Sequence, residues 1–422
     1  MTKPTYIPKP VFDTLEDTIA LYRACQQDFE PLKTLQKWLE SCLSEKVSQS
    51  LARDFRMALG FLHSYRGSPD TFRAYRRDIE HLLQWSWFVA NKSVLELKRE
   101  DIESFIAFCL KPPKEWIGQK TVARFKIKNG DLKSPNEEWR PFTISVRVKN
   151  AQHNPEKISY QMSDKTLKVL FGIIGSFYAY CLQEEVTQSN PVVLIRQKSK
   201  FIRKDSTAPI IRRLSESQWA RLISMTENIA NENPDHERVL FMIQCLYGMY
   251  LRISELTASD RFTPSMRDFF QDHHGNWWFK TVGKGNKARQ IAVSATILEA
   301  FKRYRRYLGL PQLPTANDTM PLIGKLKNPY EPITDTRWIR RLVQQCFDAA
   351  ADTFTDPKDK HDFHQLRAAT VHWLRHTGIS DDVKIRPREH VRDDAGHSSG
   401  AITDLYIDVE LQARANSAKK KK

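Results

Sequence analysis

A chain of 422 residues carries 66 Lys and Arg against 50 Asp and Glu, a formal charge of +16, and 41% of it is hydrophobic. That length is too great for one compact core and points to two domains, and the apolar content excludes general disorder. The cationic excess asks for a polyanionic partner, of which nucleic acid is the commonest.

The N-terminal stretch "MTKPTYIPKPVFDTLEDT" lacks the apolar core of a signal peptide, and no apolar run approaches the ~20 residues of a membrane span. Cys25, Cys42, Cys109, Cys181, Cys245 and Cys346 form no CxxC pair and lie mostly in apolar helical contexts. They read as reduced core thiols of a cytoplasmic protein, neither a disulfide framework nor a zinc site.

Residues 1–50 read as an N-terminal helical extension, with a helix interrupted near Pro31. Residues 51–205 read as a helical domain. Within it Ser68-Pro69-Asp70 is a start signal, after which Phe72, Tyr75, Ile79, Leu82 and Leu83 share one face. Arg73, Arg76 and Arg77 fall largely off that stripe. "SVLELKREDIESFIAFCL" predicts two further short helices. Residues 112–160, rich in turn formers and Lys/Arg, read as an inserted basic loop or hairpin. Ser163 then caps a helix whose stripe is Leu167, Leu170, Ile174, Phe177 and Cys181. A Pro-, Ser- and cation-rich linker ends near residue 206.

The second domain, residues 206–411, opens with a helix capped by Ser215 or Ser217. "ERVLFMIQCLYGMYLRISELTASD" predicts an apolar helix running into a turn, with Arg252 and Glu255 three residues apart on the helix. "NWWFKTVGKGNKARQIAVS" predicts two strands joined by Gly283-Lys284-Gly285-Asn286. Amphipathic helices follow around Trp338, Trp373 and Tyr406, and residues 412–422 form a basic tail. The expected fold class is therefore mainly α with a small antiparallel sheet in the C-terminal domain.

Four places concentrate residues with chemistry. In "YLRISEL" Glu255 can hold the Arg252 guanidinium, although such an i,i+3 pair is common on helix surfaces. "GKGNKAR" can cradle phosphate, but no P-loop spacing follows. In "HWLRHT" His372 and Arg375 share a helical face, where an imidazole beside a guanidinium suits a proton and an anion. In "AGHSSGAITDLYI" Tyr406 lies nine residues after His397. None of these decides anything alone. Elsewhere, Tyr304 and Tyr307 lie among cations at helical spacing, which suits packing or DNA-backbone contact, and Asp272-His273-His274 lacks residues to complete a metal site.

Taken in order, "LRISEL", "VGKGNKARQIAV", "HWLRHT" and "AGHSSGAITDLYI" resemble the tyrosine recombinases, the phage-integrase family. The resemblance covers roughly residues 213–410 and extends more weakly to helices at 68–110 and 163–192, which look like the family's DNA-clamping core-binding domain. It implies a site-specific integrase of a mobile element that cuts and rejoins duplex DNA through a 3′-phosphotyrosyl ester, without metal, ATP or cofactor. Tyr406 would be the nucleophile; Arg252 and Arg375 would hold the phosphate's non-bridging oxygens. Lys284 would be the general acid, His372 the base or proton relay, His397 a donor to the phosphate, and Glu255 an orienting neighbour. A free phenol titrates near ~10, so such neighbours are needed at neutral pH. The implied partners are duplex DNA at the nucleoid and three further copies at a tetrameric synapse, with room for partner recombinases or accessory DNA-bending proteins.

Several positions depart from the family pattern. Tyr250 replaces the glycine before Leu-Arg, and Ala395 stands where a leucine precedes Gly-His. "GISDDVKIRPREHVRDDA" replaces an apolar helical run. "HQLR", with His364 and Arg367, also fits H-x-L-R; the "LRHT" string and the 22 residues from Arg375 to His397 favour His372 and Arg375. A type IB topoisomerase-like relaxing enzyme and a catalytically silent DNA-binding protein of the same fold are the alternative readings.

Overall fold

The computed structural model describes residues 6–27, 45–128, 132–144, 160–193, 195, 212–283, 285–397, 399–400 and 418–419. The chain divides into two compact units, Met1–Thr207 and Ala208–Lys422. Pro31, Cys42, Lys284 and Tyr406 lie outside the described residues.

In the first unit α1 (Leu15–Gln27), α2 (Glu45–Ser64), α3 (Pro69–Trp85), α4 (Arg99–Leu110) and α5 (Asp164–Gln183) share one core. Helix α3 starts at Pro69 with Asp70 in its first turn, where a ring-fixed φ and a negative charge both favour a helix N-terminus. It runs into a π-helical turn, Ser86–Ala90, closed by Asn91 at φ 53°. That turn is pinned by the buried Asp54 carboxylate, which accepts from Trp87 Nε1 at 2.9 Å, Ser93 Oγ at 2.5 Å and Val94 N at 3.0 Å. Ser163 Oγ caps α5 by accepting from Thr166 N at 3.1 Å, and its five stripe residues are all buried. By length and composition α5 could cross a membrane, but its apolar stripe is spent in this core, with Phe177 5.4 Å from Phe61.

The basic insert is not a bare loop. Strands β2 (Phe125–Lys128) and β3 (Leu132–Pro135) form an antiparallel hairpin, while β1 (Ile117–Gly118) and β4 (Phe142–Thr143) pair in parallel. Of "FTISVRV", only its first residues are described. Arg124 from this insert ion-pairs with the buried Glu80, whose Oε1 also accepts from Val11 N and Phe12 N. Gln84 Nε2 donates to Lys9 O at 2.9 Å. Residues 6–14 are thus strapped onto α3, with Val11 and Phe12 inside the core. Arg76 differs from its expected place off the stripe: it turns inward and donates to Asp13 O, because the strap supplies a carbonyl where solvent was expected. Arg73 stays exposed.

In the second unit α6 (Glu216–Glu232) begins with a reciprocal box between Ser215 and Gln218, so Ser215 rather than Ser217 is the cap. Next come α7 (Glu237–Gly248) and an antiparallel sheet, β5 (Phe269–Gln271), β6 (Trp277–Gly283) and β7 (Lys287–Ala292), in the order β5-β6-β7. Phe279 and Ile291, paired across β6 and β7, point into the core. Helices α8 (Ala295–Tyr307), α9 (Thr336–Ala351), α10 (Lys360–Ala368), α11 (Val371–Asp382) and α12 (Arg388–Ala395) complete the unit. The fold is mainly α with a small antiparallel sheet in the C-terminal unit, as the sequence predicts.

One placement differs. Arg252 and Glu255 are not on a continuous helix. Helix α7 stops at Gly248, Tyr250 takes φ 50°, and Ile253–Glu255 form a separate 3-10 turn. A left-handed residue cannot continue a right-handed helix, so the chain turns there and presents Arg252 at the start of a new element.

Candidate active site

The site is built on a buried carboxylate. Glu255, 2% exposed, accepts from Arg252 N at 2.8 Å and Arg252 Nη1 at 3.0 Å. Its two oxygens also take a fork from Arg289, Nη1 and Nη2 each at 2.8 Å. Burial alone raises the Glu255 pKa, but the Arg289 fork and then Arg252 outweigh it and hold it below the usual range. One carboxylate therefore fixes two guanidiniums, and Arg252 keeps 30% of its side chain open.

The sheet brings the β6–β7 loop to the same place. A Cβ on Gly283 would lie 2.8 Å from Arg289 Nη1, 3.0 Å from Glu255 Oε1 and 3.4 Å from Arg252 Nη1, so a side chain there would push the Arg289–Glu255 fork aside. The strand end that precedes Lys284 therefore lies directly against the Arg252–Glu255 pair.

From α11, Arg375 is 1% exposed and reaches across two segments. It donates to Tyr250 O, to Ala395 O at 2.7 Å, and lies 3.2 Å from His397 Nε2. Gly396, at φ 66°, turns the chain out of α12 into His397; a side chain there would strike Arg289 Cδ at 2.8 Å. Burial first, then Arg375, Arg252 and Arg289, push the His397 pKa down to about 4, so the ring is neutral at pH 7. Arg252, Gly283, Arg289, Gly396 and His397 line an open cavity of about 270 Å³.

His372, one turn before Arg375, lines an adjoining cleft of about 480 Å³ together with Arg252, Ser254, Arg340 and Gln344. Desolvation by the surrounding protein and then Arg375, Arg252 and Arg212 lower its pKa, although part of the ring is open. His376 meets it edge-on, with ring centroids 4.4 Å apart, and its own pKa is pushed down to about 3 by burial and then by His372.

The structure thus gathers Arg252, Glu255, His372, Arg375 and His397 from three separated stretches. Lys284 and Tyr406 lie outside the described residues. The competing "HQLR" is elsewhere: His364 is exposed and edge-on to Phe363, and Arg367 pairs with Asp352 at 2.6 Å on the surface. Tyr304 is buried against Phe241, with centroids 4.8 Å apart, and Tyr307 donates to Asp235 at 3.1 Å, so both are structural. Asp272 caps the β5–β6 turn by accepting from His274 N, Asn276 N and Trp278 Nε1, and among the described residues no group suits a metal ion.

Arg289 was not singled out by its motif. The signal was strand alternation: Arg289 and Ile291 share a face of β7, and a cation on the inward face needs a buried partner.

Residues 212–412 match the family model described as the phage integrase family. Over 248 residues the chain is 24% identical to a tyrosine recombinase XerC of Chlorobaculum parvum, spanning 56% of this chain but just 66% of that one. It is 26% identical over 251 residues to a tyrosine recombinase XerD of Staphylococcus saprophyticus, spanning 58% and 72%. A Tn1549 transposon integrase in complex with transposon right end DNA shares the fold at TM-score 0.50 and 14% identity, over 86% of this chain and 98% of that one. With the ordered motifs and this fold, residues 212–412, a little under half of the chain, carry the phage integrase family domain shared with the tyrosine recombinases.

Proposed function

We propose that the protein is a site-specific DNA recombinase, the integrase of a mobile element, acting at the nucleoid of the cytoplasm. The observation that carries this reading is one open cavity lined by Arg252 and His397, with the buried Arg375 against His397 and Glu255 holding both Arg252 and Arg289. The Arg252 guanidinium and a neutral imidazole, with the Arg375 charge directly behind that imidazole, suit a phosphodiester whose non-bridging oxygens gain charge in the transition state.

In the proposed reaction the Tyr406 phenol oxygen attacks the scissile phosphorus and gives its proton to His372, whose lowered pKa keeps it a free base at neutral pH. The P–O5′ bond breaks, and Lys284 protonates the departing 5′-oxygen. The 3′-phosphotyrosyl ester conserves the bond energy, so a 5′-hydroxyl from a partner strand reverses the step without ATP or metal. Basic side chains of both units would contact phosphates, and a few would read base edges. Joining two duplexes requires four copies at the synapse. The DNA complex of the transposon integrase with the same fold supports duplex DNA as the partner and a mobile element as the context.

The test is a nicked suicide duplex carrying the attachment-site junction mapped beside the gene. The wild-type chain forms a covalent adduct, and Tyr406→Phe binds the duplex but forms none. An adduct that survives Tyr406→Phe contradicts the nucleophile, and relaxation of supercoils without site preference points to a topoisomerase instead.

A further inference from the structure

Two departures from the family pattern meet in space. Tyr250, in the place of a glycine, holds φ 50°, a conformation disfavoured for any residue with a side chain. Its ring is fully buried. Its hydroxyl donates to Asp382 Oδ2 and accepts from Arg386 Nη1 at 2.9 Å. Arg386 belongs to the charged stretch that replaces the apolar run, and its Nη2 donates to Asp394 Oδ2 at 2.6 Å.

Asp394 is 5% exposed and three residues before His397. Its Oδ1 accepts from Ala292 N at 3.2 Å, and its carbonyl accepts from Arg289 Nε at 2.9 Å. The next carbonyl, Ala395 O, accepts from Arg375, which also donates to Tyr250 O. The turn from Asp394 to His397 is therefore held at successive points by Arg386, Arg289 and Arg375. Tyr250 touches two of these three cations, one through its phenol and one through its carbonyl. A glycine would satisfy the backbone at position 250 but would leave Arg386 without the phenol that orients it.

We propose that Tyr250 and Arg386 are positioning residues that set the Asp394–His397 turn, and so place His397 beside Arg375 for the phosphate. This rests on the reading of the site as one for phosphodiester transfer. Tyr250→Phe keeps the ring and the backbone and removes the hydroxyl bonds; Arg386→Gln removes the link to Asp394.

The experiment measures the single-turnover rate of adduct formation on the same suicide duplex, duplex affinity by anisotropy, and melting temperature, for the full chain. Both variants slow adduct formation about tenfold, as loss of fixed geometry does, with duplex affinity within about twofold. Arg386→Lys, which can still reach one carboxylate, recovers part of the rate. In a His397→Ala background Tyr250→Phe causes no further slowing, because its effect passes through that imidazole; a general loss of stability would slow both backgrounds alike. A wild-type rate for Tyr250→Phe, or equal slowing with and without His397, overturns the proposal. A second readout needs no DNA: in the free protein the His397 ring resonances shift in Arg386→Gln, and unchanged resonances overturn it. Failure of the underlying reading is separate, since it is seen in the wild type and Tyr406→Phe alone.

Discussion

His397 and His376 are held neutral by their surroundings, with pKa values pushed down to about 4 and about 3, burial being the first cause for each. In the unfolded chain an imidazole titrates near about 6.5. Between those values and about 6.5 the unfolded chain binds protons that the native one does not, so their contribution to stability is complete above about pH 6.5 and is lost as the pH falls through this window. Urea unfolding at pH 7 and pH 5 checks this: His397→Gln loses less stability on acidification than the wild type, by on the order of 1 kcal/mol for a half-buried ring. An equal loss in both contradicts the assigned environment. At the same scale, Glu255 neutralises two guanidiniums from a buried position. Glu255→Gln leaves Arg289, 9% exposed, without its countercharge and costs about 2–4 kcal/mol in a denaturant titration. A loss under about 1 kcal/mol would show that the fork does not bear on stability.

The elements that position these residues were legible to different degrees. The stripe of α5, the Ser215 box and the β6–β7 hairpin follow from local periodicity and capping chemistry, and they formed where the pattern put them. A turn was legible in this stretch, but not its place before Arg252, because a tyrosine at φ 50° contradicts its own local preference and is held there by Asp382 and Arg386, more than 130 positions away. Arg76 misled for the same reason: its partner, Asp13 O, belongs to a strap distant in the chain. Between "HWLRHT" and "HQLR", the string itself and the 22 residues from Arg375 to His397 favour the first. In three dimensions the first lies on α11 beside His397, and the second on α10 faces Asp352. Arg289 hid because its partner Glu255 is 34 residues away, and only strand alternation hinted at its inward direction.

Across the whole molecule the +16 charge is the feature that binding should report. If phosphate neutralisation dominates, affinity for duplex DNA falls at least about a thousandfold between 50 and 200 mM salt, as counterion release requires for six or more phosphate contacts. A nearly flat salt dependence in a filter-binding titration would contradict a backbone-dominated interface. The claim on which the account turns is a covalent one, that a phenol takes the 3′ end of a cut strand. Its most direct measurement is mass spectrometry of the peptide left on the suicide duplex after proteolysis. The account predicts a 3′-phosphate ester on Tyr406; an ester on any other residue, or a linkage through the 5′ end, would contradict it.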